Sequence, residues 1–208
     1  MKISRCFSAL LAASLTLYAT VPTFAAGPAV DRLKYFDGTT STAWFDGQAK
    51  LYAAPVKGNY GTPQRYRAQL LFARPDRFRL MLRPGAKNEY RAVGNAGSVQ
   101  WLDLGTGFSG QGKALDYVDP AALDLLRTVG ELWRFAPSKE LPAADKGNLR
   151  GAVLVPKSFD SRVKRAVVWF RNDQPYSFDF EFVDGRKLQF TVSSFKQNVP
   201  TKPSDFQL

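Results

Sequence analysis

Tyr176-Ser177-Phe178-Asp179-Phe180-Glu181-Phe182, followed beyond Val183-Asp184-Gly185-Arg186 by Lys187-Leu188-Gln189-Phe190-Thr191-Val192-Ser193, carries the clearest periodicity in the chain. Apolar and polar side chains alternate through both runs. That two-residue period belongs to a β-strand with one buried face and one wetted face. Asp184-Gly185 between the runs predicts a tight type I′ hairpin turn. Two strands alone are marginal in water, so further strands of matching parity are required.

Upstream segments supply them. From Arg65 to Ala73 the apolar set is Tyr66, Ala68, Leu70 and Phe72, opposed by Arg65, Arg67 and Gln69. From Asp76 to Arg83 it is Phe78, Leu80 and Leu82, opposed by Arg77, Arg79 and Arg83. Asn172-Asp173-Gln174-Pro175, Pro84-Gly85 and the Lys57 to Pro63 loop punctuate the strands. About nine to eleven such strands are expected, too many to lie flat, so the sheet must curl strongly. The predicted class is mainly β (α+β): one strongly curved antiparallel sheet, a half-open barrel, with one or two helices covering its concave apolar face.

Helical signals are few. Asp119-Pro120 offers an N-cap followed by proline at the first helical position. Behind it Ala122, Leu125, Leu126, Val129, Leu132 and Trp133 recur at helical spacing. A shorter helix is expected from about Pro28 to Phe36, with Val30 and Leu33 inward and Asp37-Gly38 ending it. Pro137 to Gly147 reads as a polar loop leading to the later strands.

Residues 1–25 read as a secretory signal peptide. Lys2 and Arg5 form a basic start, Cys6 to Val21 is an apolar run too short to span a bilayer comfortably, and Thr23-Phe24-Ala25 offers small residues for cleavage after Ala25. Residues 26–208 then form a single domain. Cleavage removes the lone cysteine, so the exported chain is held by its core without a disulfide. It leaves 27 basic against 18 acidic residues, a net charge of +9. Outside the cytoplasm such a charge suits an anionic membrane surface or acidic proteins.

The 208 residues are 45% hydrophobic and 23% charged, which is ordinary globular composition, and contain no histidine. That removes histidine acid–base chemistry, Ser-His and Cys-His nucleophiles, and nearly every zinc site. No metal or cofactor is expected. Asp179 and Glu181 share one face of one strand, but as part of a solvated charged face they make a poor catalytic pair. The glycines at 105, 107, 110 and 112 lack the strand-to-helix setting of a phosphate loop and read as a hairpin tip. Arginines and aromatics of the strands point to opposite faces, which argues against nucleic acid.

Arg74-Pro75 is the most informative local feature. Pro75 donates nothing to a ladder and marks a strand break. Arg74 continues the parity of Leu70 and Phe72, so its guanidinium is expected inward, where it must be hydrogen-bonded. A latch follows: Arg74 holding a covering helix or loop by its backbone carbonyls. The alternative is that the break turns Arg74 out to solvent.

Four segments in order then resemble the periplasmic outer-membrane lipoprotein carriers (LolA/LolB-like). Phe72-Ala73-Arg74-Pro75-Asp76-Arg77-Phe78-Arg79 resembles their Arg-Pro strand pair. Gly94 to Leu104, with Gly97, Val99, Trp101 and Leu102, is similar to a hairpin of theirs. Leu149 to Lys157 is similar to a later strand, and Asn198 to Phe206 to their terminal strand. The resemblance implies a half-barrel with a lidded hydrophobic cavity for acyl chains, latched by the arginine of the Arg-Pro step. The expected cavity draws Leu70, Phe72, Phe78, Leu80 and Leu82 from two strands and Val99 and Trp101 from the hairpin. Leu125, Leu126, Val129 and Trp133 come from the helix, and Phe178, Phe180, Phe182 and Phe190 from the last strands.

The expected function is a non-enzymatic periplasmic carrier or chaperone. Its partners are an acylated lipoprotein or lipid cargo and a membrane-bound delivery or receptor protein. It acts as a monomer, without nucleic acid. The alternative is a lipid- or lipoprotein-sensing regulatory module of the same fold.

Overall fold

The computed structural model describes residues 29–95, 97–114, 133–135, 148–156, 161–172 and 174–208, with only the backbone for 30, 36–37 and 133–135, so the expected inward Val30 side chain lies outside the description. The expected signal peptide, the longer helix up to Leu132 and the Pro137 to Gly147 loop lie outside the described residues.

Helix α1 (Ala29–Thr39) is followed by eleven strands. They are β1 (Thr42–Tyr52), β2 (Gln64–Ala73), β3 (Arg77–Leu82), β4 (Tyr90–Asn95), β5 (Ser98–Asp103) and β6 (Phe108–Lys113). Then come β7 (Trp133–Phe135), β8 (Leu149–Pro156), β9 (Val163–Arg171), β10 (Gln174–Phe182) and β11 (Lys187–Gln197). All belong to one antiparallel sheet in the order β6-β5-β4-β3-β2-β1-β11-β10-β9-β8-β7, which is not closed between β6 and β7. The chain is therefore the curved half-barrel expected.

The expected parity holds where one face is wet. Phe78, Leu80 and Leu82 of β3 are buried while Arg77, Met81 and Arg79 between them are half-exposed. The same alternation places Phe178, Phe180 and Phe182 inward on β10. Helix α1 packs against β8 and inserts Ala29 and Leu33 into the core. It runs past the expected end at Asp37-Gly38 by about one residue, and its last turn is closed by Thr39 Oγ1 donating to the Tyr35 carbonyl at 3.0 Å.

Large rings cover glycines on neighbouring strands. Phe78 faces Gly94 and Trp169 faces Gly151 in register. A Cβ at Gly94 would lie 1.9 Å from Phe78 Cε1, so only glycine lets the ring lie flat there. These contacts let the sheet curl without leaving a void beneath the strands.

Three expectations need correction. Trp133, read as the end of a helical stripe, lies in strand β7 opposite Pro156; pairing with an available sheet edge outweighs local helical spacing. Asn198 to Phe206 does not end as a strand. The ladder stops at Gln197, and Pro203–Phe206 forms a 3-10 turn begun by proline. It carries Phe206 onto the outer face, where Phe206 is buried with Leu71 and Ala73 and flanked by Trp44 and Val199. Finally, the Asp184-Gly185 turn is not type I′. Gly185 has φ of +82° while Asp184 stays on the right-handed side, and the Gly185 N–H donates to the Phe182 carbonyl at 3.0 Å. A type I turn followed by one left-handed glycine gives the same reversal.

Candidate functional site

The concave face gathers the expected residues into one cluster. Leu70, Phe72, Phe78, Leu80, Leu82, Val99, Phe178, Phe180, Phe182 and Phe190 are all buried in it, with Trp101 packed half-exposed at its side. Leu125, Leu126 and Val129 lie outside the described residues, as does the side chain of Trp133. Phe45 of β1 belongs to the cluster as well and joins its halves. It meets Phe178 edge-on with centroids 6.0 Å apart, and Phe178 stacks on Phe190 at 6.2 Å. Its signal was present in the sequence, because Ala43, Phe45, Gly47 and Ala49 keep period two.

Phe45, Phe72, Phe78, Phe178 and Phe190 are each less than 2% exposed. A ring lining a water-sized void would show accessible surface, so these rings meet other atoms all round. In this conformation the five rings leave no water-sized space at the centre of the concave face.

The strand break falls where proline requires it. β2 ends at Ala73 and β3 begins at Arg77, and the Arg74–Pro75 peptide between them is cis. The Arg74 N–H donates to the Ser41 carbonyl at 2.9 Å, which ties this corner to the entry of β1. The Arg74 side chain is half-buried and its Nε is shut off from solvent, while Pro75 is exposed. Arg77, expected on an idle wet face, instead lays its guanidinium 5.1 Å from the centre of the Phe206 ring.

The outer face carries ordered charge. Arg67 reaches Asp46 at 2.6 Å and Gln69 reaches it at 3.3 Å; the Arg67 bond holds the Asp46 carboxyl below its ordinary range. Lys164 at 2.9 Å and Arg165 at 3.5 Å do the same for Glu181. Such groups add stability above the unfolded value, and lose it as pH falls through the folded one.

Asp179 behaves in the opposite way and corrects the expectation of a solvated pair. The Trp169 indole N–H donates to its Oδ2 at 2.7 Å, yet burial outweighs that bond and pushes the carboxyl above its ordinary range. The advantage of the neutral acid is full below the unfolded value and is lost as pH rises through the folded one. Asp179→Asn keeps an acceptor for the indole and stays neutral. Its melting temperature relative to the parent protein is therefore expected to be more favourable at pH 7 than near pH 3 (about one unit below the ordinary aspartate value). Thermal melts at both pH values check this, and an equal difference at both would mean that ionising Asp179 costs the fold nothing.

Among the described residues, no three side chains of metal-binding type converge, and no helix is long and apolar enough to cross a membrane.

No family model matches the chain, and no curated protein does. Solved structures with a similar course include a LolA superfamily protein from Nitrosomonas europaea, with a TM-score of 0.45 and 13% identity over 88% of this chain and 99% of that one. An outer-membrane lipoprotein-sorting protein domain from Vibrio parahaemolyticus gives 0.44 and 11% over 86% and 94%. A DUF1329 family protein from Desulfovibrio piger gives 0.44 and 10%, again over 86% and 94%.

Proposed function

We propose that the chain is a periplasmic carrier that shields the acyl chains of a lipoprotein or lipid against its concave face and passes them toward the outer membrane. The observation that carries this reading is the single apolar cluster, dominated by phenylalanine, on one side of a sheet whose outermost strands β6 and β7 do not pair with each other. A sheet open at that seam widens without breaking a ladder. Burying one long acyl chain yields on the order of 10 kcal/mol, at about 0.8 kcal/mol per CH₂. Refilling the face with its own side chains in the empty protein offsets part of that gain and favours release.

A naphthylamine dye should brighten on the protein and be displaced by palmitate. Dye binding that palmitate leaves untouched counts against the carrier reading. Transfer is tested with Arg74→Leu, which keeps the bulk of the side chain and removes its five donors. If Arg74 latches the closed state, this variant loads palmitate as the parent does but hands at least about tenfold less to vesicles, the loss expected from one charge-assisted bond of at least 1.4 kcal/mol. Arg65→Leu is the control, because Arg65 is exposed on the outer face. Arg77→Leu is unsuitable, since it would strip the cover from Phe206. Normal transfer by Arg74→Leu removes the latch.

A further inference from the structure

The outer face of β9, β10 and β11 bears a second concavity of about 320 Å³, lined by Tyr52, Tyr60, Trp169, Asp179, Lys187 and Gln189 among others. Most of its lining belongs to the strand positions opposite in parity to the phenylalanine cluster, and Phe180 and Leu188 of that cluster also border it. One wall is the loop after β1, pinned where the Tyr60 hydroxyl donates to the Gly185 carbonyl at 3.0 Å. Tyr52 stands edge-on to Tyr60, 5.8 Å between centroids, and the Lys187 ammonium lies 4.3 Å from the centre of the Tyr60 ring. Trp169 is held against Gly151 and by its bond to Asp179.

The polar groups here are unevenly used. Glu181 is engaged by Lys164 and Arg165. Asp179 Oδ1 is cut off from solvent, and what eases its charge besides Trp169 is the Gln189 amide and the more distant Lys187. Gln189 lies directly opposite on β11 and adds an amide, with both a donor and an acceptor.

We propose that this pocket binds a neutral saccharide of one or two pyranose rings. A sugar has apolar C–H faces for the tyrosine and indole rings and hydroxyls that both donate and accept. Sugar hydroxyls meet Lys187 and the Gln189 amide, which Asp179 orients from across the ladder. The pocket's two carboxylates are matched by Lys187 and Arg165, so neither an anion nor a cation gains from net charge. An acyl chain fits worse, since it would seal the Lys187 ammonium and the Gln189 amide away from water. The volume lies at the small end of the range for ligand pockets.

Saturation-transfer NMR and tryptophan fluorescence with maltotriose, cellotriose and N,N′,N″-triacetylchitotriose test the assignment on the intact protein. At least one of these sugars is expected to bind with an affinity of about 1 mM or tighter. Asp179→Asn and Tyr52→Ala, on different strands, should each weaken it about tenfold or more, with folding checked by thermal melts. Palmitate should not compete, which separates this site from the concave face whatever that face carries. No saturation transfer from any of the three sugars at about 10 mM, where a millimolar site is mostly filled, overturns the proposal. So does binding that both variants retain in full, or that palmitate abolishes.

Discussion

Phe180→Asp is expected to abolish the folded state at room temperature. Phe180 is 3% exposed in the middle of the main cluster, and no cation of β9 or β11 faces it there. Removing the ring costs about 3–5 kcal/mol, and the carboxylate adds several more because it has no partner. The sum, about 6–10 kcal/mol, is as large as the whole stability of many domains, which is usually about 5–15 kcal/mol. Glu181→Gln, one residue on, gives up ion pairs whose cationic partners Lys164 and Arg165 are 64% and 41% exposed, and should cost no more than about 1 kcal/mol. Circular dichroism melts of the two variants make the comparison. Similar losses in both would mean that the β10 parity is wrong.

The second large effect is expected at Gly94. Alanine there drives a methyl group into the Phe78 ring, which is itself 1% exposed and has nowhere to turn. Overpacking of this kind costs about 1–3 kcal/mol, and a clash at 1.9 Å places Gly94→Ala at the upper end or beyond. The ring is the cause, so Phe78→Leu should relieve it: in that background the added cost of Gly94→Ala should fall by at least half. Denaturant melts of the four proteins in the cycle measure the coupling. Additive losses would mean that the backbone at Gly94 is the constraint, and not the ring.

Much of this arrangement was legible in residue order. Parity placed Phe72, Phe78, Phe178, Phe180 and Phe190 on one face because each of their strands has a charged opposite face. A one-residue slip would exchange the two faces completely. Proline chemistry put the break at Arg74-Pro75. What escaped depends on partners distant in sequence. The run Leu70-Leu71-Phe72-Ala73 is apolar on both sides, and that doubled greasiness was the available sign that something covers the outer face. It could not reveal that Phe206 does so. Asp179 looked solvated because its own strand alternates cleanly. Its surroundings are set by Trp169 on β9 and Gln189 on β11, neither of which leaves a trace in the local sequence. Trp133 fitted a helix by spacing, and its pairing with Pro156 is likewise non-local.

Strand order also bears on how the chain finds this structure. Every ladder but one joins strands adjacent in sequence, and the exception is β1 with β11, whose partners include Ala43 with Gln197. β1 to β6 and β7 to β11 are thus two meanders, each of which forms by closing short loops. The β1–β11 seam closes a loop of about 150 residues, and its entropy cost is met only once ten residue pairs are in register. Loop closure alone therefore sets the β1–β11 seam apart as the costliest ladder to form, whichever half it joins first. Phe45 is the residue most exposed to that closure, since it lies opposite Leu70 of one half and Phe195 of the other.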